Sequence, residues 1–392
     1  MKRVAILFNG NLSERKGYLN SVLERAKSLI ARDEFSVDVF CLSQYDYWLI
    51  RQLRHSEKRE KLASIIIDGI TINLIWYPFS LVDYILSVKL HVGKVIEPIF
   101  LRRLVSKFKN YDLITAHSVT PGLLAYGICE KYNIPYCITW HGSDIHTEPF
   151  ENRKSFKIAS NLMKVAACNM FVSQALKKTA QKINQDVEGV VLYNAASDIF
   201  YRYDDDKRLA LRTEYQTTEY RKIVAFVGGL VTVKNADLLP DIFKSIQQNC
   251  KEKVEFWIIG DGKLRSVIEH KLAQMPELSC KLWGNQKTEM IPLLLNCVDV
   301  VVLPSKNEGL PLIVVEALCS GANVVASDVG GVKEVLVDDN TISLGGNFVC
   351  RFANRVVEIL NMEEKPVVPS GQYDWRVTAE LESRVYQRIL NN

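Results

Sequence analysis

Short apolar runs alternate with amphipathic stretches along most of the chain, the pattern of buried parallel strands wound with helices. Val4 to Phe8 is apolar and ends at Asn9-Gly10-Asn11. A helical period follows from about Lys16 to Ala31, with Leu19, Val22, Leu23, Ala26 and Ile30 on one face, and Val37 to Cys41 reads as the next strand. Leu113 to Ala116 leads to His117, a helix runs from Pro121 to about Tyr132, and Tyr136 to Trp140 leads to His141-Gly142-Ser143-Asp144. Both histidines fall where a strand ends and a loop begins, where doubly wound folds place their chemistry. Cys168 to Ser173 and Gly189 to Tyr193 complete the series, and the charged, aperiodic Tyr201 to Arg221 reads as a passage between domains with at most one short helix.

A second series opens with Ile223 to Val227, the loop Gly228 to Asn235, and a helix through Leu238, Leu239, Ile242 and Phe243. Phe256 to Gly260 and Cys280 to Asn285 are further strands with their turns, including Gly260-Asp261-Gly262 and Gly284-Asn285. The stretch from Val300 to Val337 reads as strand, loop, helix, strand and loop. Pro311 suits the first helical position and Gly321 the residue past the end. Glu308 then lies in the loop and Glu316 more than one turn inside the helix. Near the helix start, the amides of Gly309, Leu310 and Leu312 lack helical partners, and such a terminus attracts anions by about 0.3–1 kcal/mol. A carboxylate beside an anion site makes sense if it faces hydroxyls, so the pattern points to a nucleotide sugar, with its diphosphate on the helix start. After Gly346 a helix carries Phe352, Val356, Ile359 and Leu360, Pro366 to Pro369 breaks the chain, and Trp375 to Leu390 is a last helix with Val377, Leu381, Val385 and Ile389 in register.

With 392 residues, 48% of them hydrophobic and 24% charged, the chain is long enough for two globular domains. The loop after the first strand lacks G-x-G-x-x-G, which argues against a dinucleotide oxidoreductase. Nine scattered cysteines with no C-x-x-C read as buried thiols of a reducing compartment. No apolar run reaches the eighteen or so residues that cross a bilayer, and a cytoplasmic location is expected. No histidine cluster stands at metal spacing, so neither a metal nor a cofactor is expected; Asp338-Asp339 reads as a surface turn.

Residues 1–200 hold 26 Lys and Arg against 19 Asp and Glu, and most of that excess lies between Arg51 and Lys109. That basic tract, which includes Lys58 and Arg59, is interleaved with Trp76-Tyr77-Pro78-Phe79, Tyr84-Ile85-Leu86 and Phe100-Leu101. Amphipathic helices of this composition can lie on the inner, anionic face of a membrane as a peripheral contact; interior helices with a solvated basic side are the other reading. Nucleic acid is not an expected partner, because no recognition motif accompanies the basic residues.

The segment from Glu308 to Gly331 resembles the Glu, seven residues, Glu signature of the retaining glycosyltransferases of family 4. The resemblance is continuous from about residue 221 to the C-terminus and patchy before. It implies the GT-B fold, α/β with two doubly wound Rossmann-like domains facing across a cleft. The expected parts are an acceptor-side domain over 1–200, a nucleotide-sugar donor domain over 201–372, and a helix over 373–392 that crosses back to the first domain. By resemblance Glu308 contacts the donor sugar and Glu316 the ribose, while Gly309, Leu310, Pro311 and Leu312 meet the diphosphate. His141-Gly142-Ser143-Asp144 resembles the family's HG-x-D element, which makes His141 and Asp144 site residues near the reacting carbon. Gly228 to Asn235 resembles the Gly-Arg-Leu, three residues, Lys-Gly loop, whose Arg and Lys neutralise the diphosphate. Lys234 matches the Lys, but Gly229 stands in place of the Arg, and Arg265 is a candidate substitute. Gly260, Gly284 and Asn285 match turns at the nucleotide. Asn194-Ala195 resembles Pro-Asn-Gly-Val-Asp, with Ala195 for Gly.

The implied function is a metal-independent, retaining hexosyltransferase that moves sugar from a nucleotide diphosphate sugar to a lipid-linked or oligosaccharide acceptor in surface polysaccharide synthesis. A sugar-nucleotide epimerase or hydrolase is the enzymic alternative, and a degenerate transferase acting as a binding subunit is the non-enzymic one.

Overall fold

The computed structural model describes residues 1–12, 17–54, 60–90, 94, 96–217, 222–336, 338–362, 366–369 and 371–391. Lys16, Lys58, Arg59, Arg221 and Val337, which fall in expected elements, lie outside these residues. The chain divides into two compact units, Met1–Tyr193 with Trp375–Asn392, and Asn194–Asp374. The first division thus falls before the expected 200/201, and the second just after 372/373.

In the first unit the strands are β1 (Arg3–Asn9), β2 (Ser36–Asp46), β3 (Ser64–Ile67), β4 (Ile70–Phe79), β5 (Leu113–His117), β6 (Tyr136–Trp140), β7 (Cys168–Phe171) and β8 (Gly189–Val191). They form one sheet in the order β3-β4-β2-β1-β5-β6-β7-β8, parallel throughout except for the β3–β4 hairpin. That hairpin turns on Asp68-Gly69, both at positive φ (50° and 81°), as a two-residue turn matched to strand twist requires. Every residue of β5 and β6 is buried, which is why these strands read as unbroken apolar runs.

The second unit holds β9 (Lys222–Val227), β10 (Val254–Ile259), β11 (Ser279–Gly284), β12 (Val300–Leu303), β13 (Asn323–Ser327) and β14 (Thr341–Ile342), in the order β11-β10-β9-β12-β13-β14 and all parallel. Counted within the unit, this is the order 3-2-1-4-5-6 of the dinucleotide-binding doubly wound sheet. Its switch point, where the winding reverses, lies between β9 and β12.

Several expectations need correction. Trp76 to Phe79 belongs to β4, so that part of the basic tract is sheet and not amphipathic helix. Pro78 is tolerated there because, among the described residues, β3 pairs only with Ile70 to Asn73 and no strand pairs with β4 beyond it on that side. The charged stretch after Tyr201 carries the one short helix expected of it, and that helix is built into the second unit. Asp205–Glu214 is a helix of the second unit, tied to it by the Arg212 guanidinium donating to the Cys297 carbonyl (2.8 Å) and pairing with Asp299 (2.9 Å). In the helix Gly17–Ala31, Leu29 is buried and Ile30 exposed. The cysteines are not uniformly buried, since Cys350 is exposed. Asp338–Asn340 forms a tight turn ahead of β14.

The last helix, Trp375–Asn391, packs against the helix Gly17–Ala31 in the first unit. Its buried face runs through Trp375, Ala379, Glu382, Val385 and Tyr386, whereas Leu381 is exposed. The face is rotated from the expected one because Glu382 is drawn inside. It pairs with Arg25 at 3.4 Å, both side chains 1% exposed, and accepts from the Tyr386 hydroxyl at 2.5 Å. Arg25 also donates to the Leu192 carbonyl at 2.6 Å. Among the described residues, no helix is long and apolar enough to cross a membrane.

Candidate functional site

Ligands of open parallel sheets bind outside the carboxyl ends of the strands at the switch point. In the second unit this selects the loops after β9 and β12. The first loop runs through Gly228 and Gly229 into a short turn, Thr232–Lys234, which ends at Asn235 in the left-handed conformation (φ 50°). Asparagine tolerates that region better than other side-chain-bearing residues. The Asn235 side chain then donates to the Pro304 carbonyl (2.9 Å), and the Lys306 amide donates to the Val233 carbonyl (2.8 Å), locking the two loops together.

The consequence is a contact between two residues to which sequence reasoning assigned separate ligand groups. Lys234 Nζ lies 2.6 Å from Glu308 Oε1, with side chains 25% and 9% exposed. Glu308 itself is held from behind. The Gly331 amide donates to the Gly309 carbonyl (2.9 Å), and Gly330, at φ 53°, lies so close that a Cβ there would stand 1.8 Å from the Glu308 carbonyl oxygen. Only glycine fits this close approach. Asn194, which the sequence singled out for Ala195 beside it, donates to the Leu310 carbonyl (3.0 Å).

The helix behind this loop is Leu312–Cys319. Pro311 is its cap in an extended conformation, one position earlier than expected, because its carbonyl already accepts from Val314. Glu316 lies in the second turn, partly buried. Gly228, Gly260 and Gly284 stand in a row at the ends of β9, β10 and β11. Gly228 donates to the Ile259 carbonyl (2.9 Å) and Gly260 to the Gly284 carbonyl (2.8 Å), with Asn285 directly after the row.

Gly229 has room for a side chain, since a Cβ there would meet nothing nearer than Val231 at 3.9 Å. Space therefore does not account for its departure from Arg. Arg265 reaches toward the glycine row, its Nη1 3.5 Å from a Cβ built on Gly284, but it is engaged by Asp261 (3.0 Å) and Glu269 (2.8 Å). Ser305, fully buried at the end of β12, has a hydroxyl with no hydrogen-bond partner among the described residues. The sequence placed Pro304-Ser305 at the strand end but gave Ser305 no role of its own.

In the first unit the sheet reverses between β1 and β5. His117, the last residue of β5, and His141, which follows β6, meet there with Nδ1 and Nε2 3.0 Å apart. Tyr18 closes over them, its ring edge-on to His141 at 4.8 Å and its hydroxyl donating to the His117 carbonyl at 3.0 Å. Burial drives both imidazoles toward the neutral form, His117 to about 3 and His141 well below its usual value. Asp144 accepts from the amides of His141 (3.1 Å) and Gly142 (2.7 Å), so it shapes the turn that aims His141. Its own burial outweighs those amides and lifts it to about 7. Among the described residues, no group of three or more His, Cys, Asp or Glu is arranged to hold a metal ion.

Residues 208–370 match the family of glycosyl transferases group 1. The matched segment contains Lys234, Glu308 and the strand-end glycines of the second unit's switch point. A relative in Bacillus subtilis, the glycosyltransferase TuaC, whose name assigns it provisionally to teichuronic acid biosynthesis, is 28% identical over 225 residues. That alignment covers 57% of this chain and 55% of TuaC, so the chain spans about half of that relative's length. Sucrose-phosphate synthase from Thermosynechococcus elongatus superposes over 100% of both chains with a TM-score of 0.75 at 14% identity. The Anabaena protein HepE, in a complex with UDP and glucose, superposes over 98% of this chain and 95% of its own with a TM-score of 0.67 at 18% identity. With two parallel Rossmann-like sheets and these neighbours, the fold class is GT-B, as the sequence implied.

Proposed function

We propose that the chain transfers a hexosyl group from a nucleotide diphosphate sugar to a saccharide or lipid-linked acceptor, with retention at the anomeric carbon and without a metal. The observation that carries this reading is the Lys234–Glu308 pair at the second unit's switch point, beside the start of the helix Leu312–Cys319. HepE, of like fold, binds UDP and glucose, which supports a nucleotide-sugar donor. The provisional role of TuaC supports a product in surface polysaccharide.

In this reading the diphosphate takes the helix start and Lys234, while Glu308 accepts from a hydroxyl of the donor sugar and Glu316 from the ribose. The glycine turns at the ends of β9, β10 and β11 surround the nucleotide. His141, held by Asp144, is a neutral donor at the first unit's own switch point. The anomeric carbon–oxygen bond to the diphosphate breaks, the acceptor oxygen bonds the same face of that carbon, and the acceptor proton passes to the departing phosphate oxygen. Fixed dipoles and one cation stabilise the leaving group by electrostatic preorganisation.

A screen of nucleotide sugars by thermal shift tests the donor, since a bound ligand raises the melting temperature with occupancy. Transfer from the matching donor, with the product's anomeric configuration read by NMR, tests the rest. Failure of every nucleotide sugar to shift the melting temperature would overturn the reading, as would release of free sugar at an unchanged rate when acceptor is added.

A further inference from the structure

The first unit contains a cavity of about 420 Å³ at the carboxyl ends of β1, β2 and β4, a volume suited to a small ligand. Asn9 and Gly10 form its edge toward the histidine pair, through the contact of the Tyr18 hydroxyl with Asn9 (3.4 Å). Among the described residues, four basic side chains, Arg51, Arg54, Lys61 and Lys94, line it against one acidic side chain, Asp46.

Two of the four cations are matched. Arg54 pairs with Asp46 (2.7 Å), and Lys94 pairs with Glu97 (2.9 Å), a buried carboxylate that also accepts from Gln44 (2.8 Å) and Tyr77 (2.9 Å). The other two are not. Arg51 Nε is buried with no hydrogen-bond partner among the described residues. Lys61 stands over the ring of Tyr45 at 3.2 Å, held by an aromatic face and, among the described residues, not by a carboxylate. A buried guanidinium nitrogen without an acceptor is costly, and a fork of donors fits a phosphate or carboxylate. Beside these cations Tyr47 and Trp48 leave large aromatic surfaces open, 55% and 67% exposed, the kind of face on which the apolar side of a sugar ring rests.

We infer that this cavity is the acceptor site and that its acceptor is an anionic saccharide, whose phosphate or carboxylate binds Arg51 and Lys61 while its ring lies on Tyr47 and Trp48. The inference rests on the transferase reading for the word acceptor; the anion site stands on the cavity alone. The same chemistry could arrive as a free sugar phosphate or as the headgroup of a lipid.

Calorimetry on the full chain tests it with glucose 6-phosphate, glucuronate, glucose and inorganic phosphate, and with vesicles containing phosphatidylinositol as the lipid-borne arm. The charged sugars or the vesicles bind, and glucose binds at least tenfold more weakly. Binding falls by about tenfold to a hundredfold in Arg51→Gln, the loss of one charge-assisted hydrogen bond. Trp48→Ala, on the surface and so neutral to folding, weakens the sugar-bearing ligands and leaves inorganic phosphate unchanged. Which arm binds identifies the source. Equal binding of glucose and glucose 6-phosphate, an unaltered Arg51→Gln, or no binding in either arm overturns the proposal. A nucleotide-sugar thermal shift run on the same variants separates the two readings. A retained shift with no anion binding removes the anionic acceptor alone, whereas anion binding with no nucleotide-sugar shift removes the transferase and keeps the pocket.

Discussion

The contact between Lys234 and Glu308 sets the sharpest test of the donor site. At 2.6 Å, with an effective dielectric of about 20, the gross attraction of the pair is about 6 kcal/mol. Desolvating two partly buried charges cancels much of this, and a charge-assisted hydrogen bond typically nets about 1.5–3 kcal/mol. Lys234→Met removes the cation and keeps the stem. If the ammonium stabilises the leaving diphosphate, kcat/KM should fall by about tenfold to a hundredfold. Glu308→Gln keeps the shape and frees Lys234 from its counter-charge. Nucleotide diphosphate binding should then hold or tighten while transfer falls, because the carboxylate serves the sugar and opposes the phosphate. The double variant closes a thermodynamic cycle, and residues in direct contact should depart from additivity. The assays are steady-state transfer and calorimetric binding of the nucleotide diphosphate. Wild-type turnover in Lys234→Met, or strictly additive effects across the cycle, would refute the reasoning.

Three further outcomes follow from the same structure. His117→Gln should flatten the acid limb of stability. The native imidazole, held near 3, resists a proton that the unfolded chain takes up near 6.5, so the wild type loses about 1.4 kcal/mol per pH unit more than the variant between those values in urea titrations. Replacing only Arg25 or only Glu382 by Met should cost about 3–5 kcal/mol in urea unfolding, and replacing both much less than the sum, since one change strands a buried charge. Gly330→Ala must displace the Glu308 backbone, so nucleotide-sugar affinity should drop while circular dichroism stays native.

Local signals made the alternation of strands and helices legible, because parallel strands buried on both faces are continuous apolar runs and need no partner to be recognised. Glu308, Lys234 and the strand-end glycines were legible for a related reason, as each stands at a strand end whose place is set by a few neighbouring residues. The β3–β4 hairpin was also written locally, in Asp68-Gly69 between two isoleucine-rich runs, and was missed because the basic residues around it suggested amphipathic helices. Glu382 was not legible at all. A glutamate on a terminal helix reads as solvated, and only Arg25, 357 residues away in the chain, draws it inside.

By itself the sequence determined the elements, the two α/β units and the chemical character of each loop, since these follow from the period of apolar positions and the backbone demands of Gly, Pro and Asn. Tertiary structure alone decided which loops share a switch point, that Lys234 closes on Glu308, and that His117 faces His141. Those are distances between residues far apart along the chain. They are settled by strand order and packing, which no local pattern encodes.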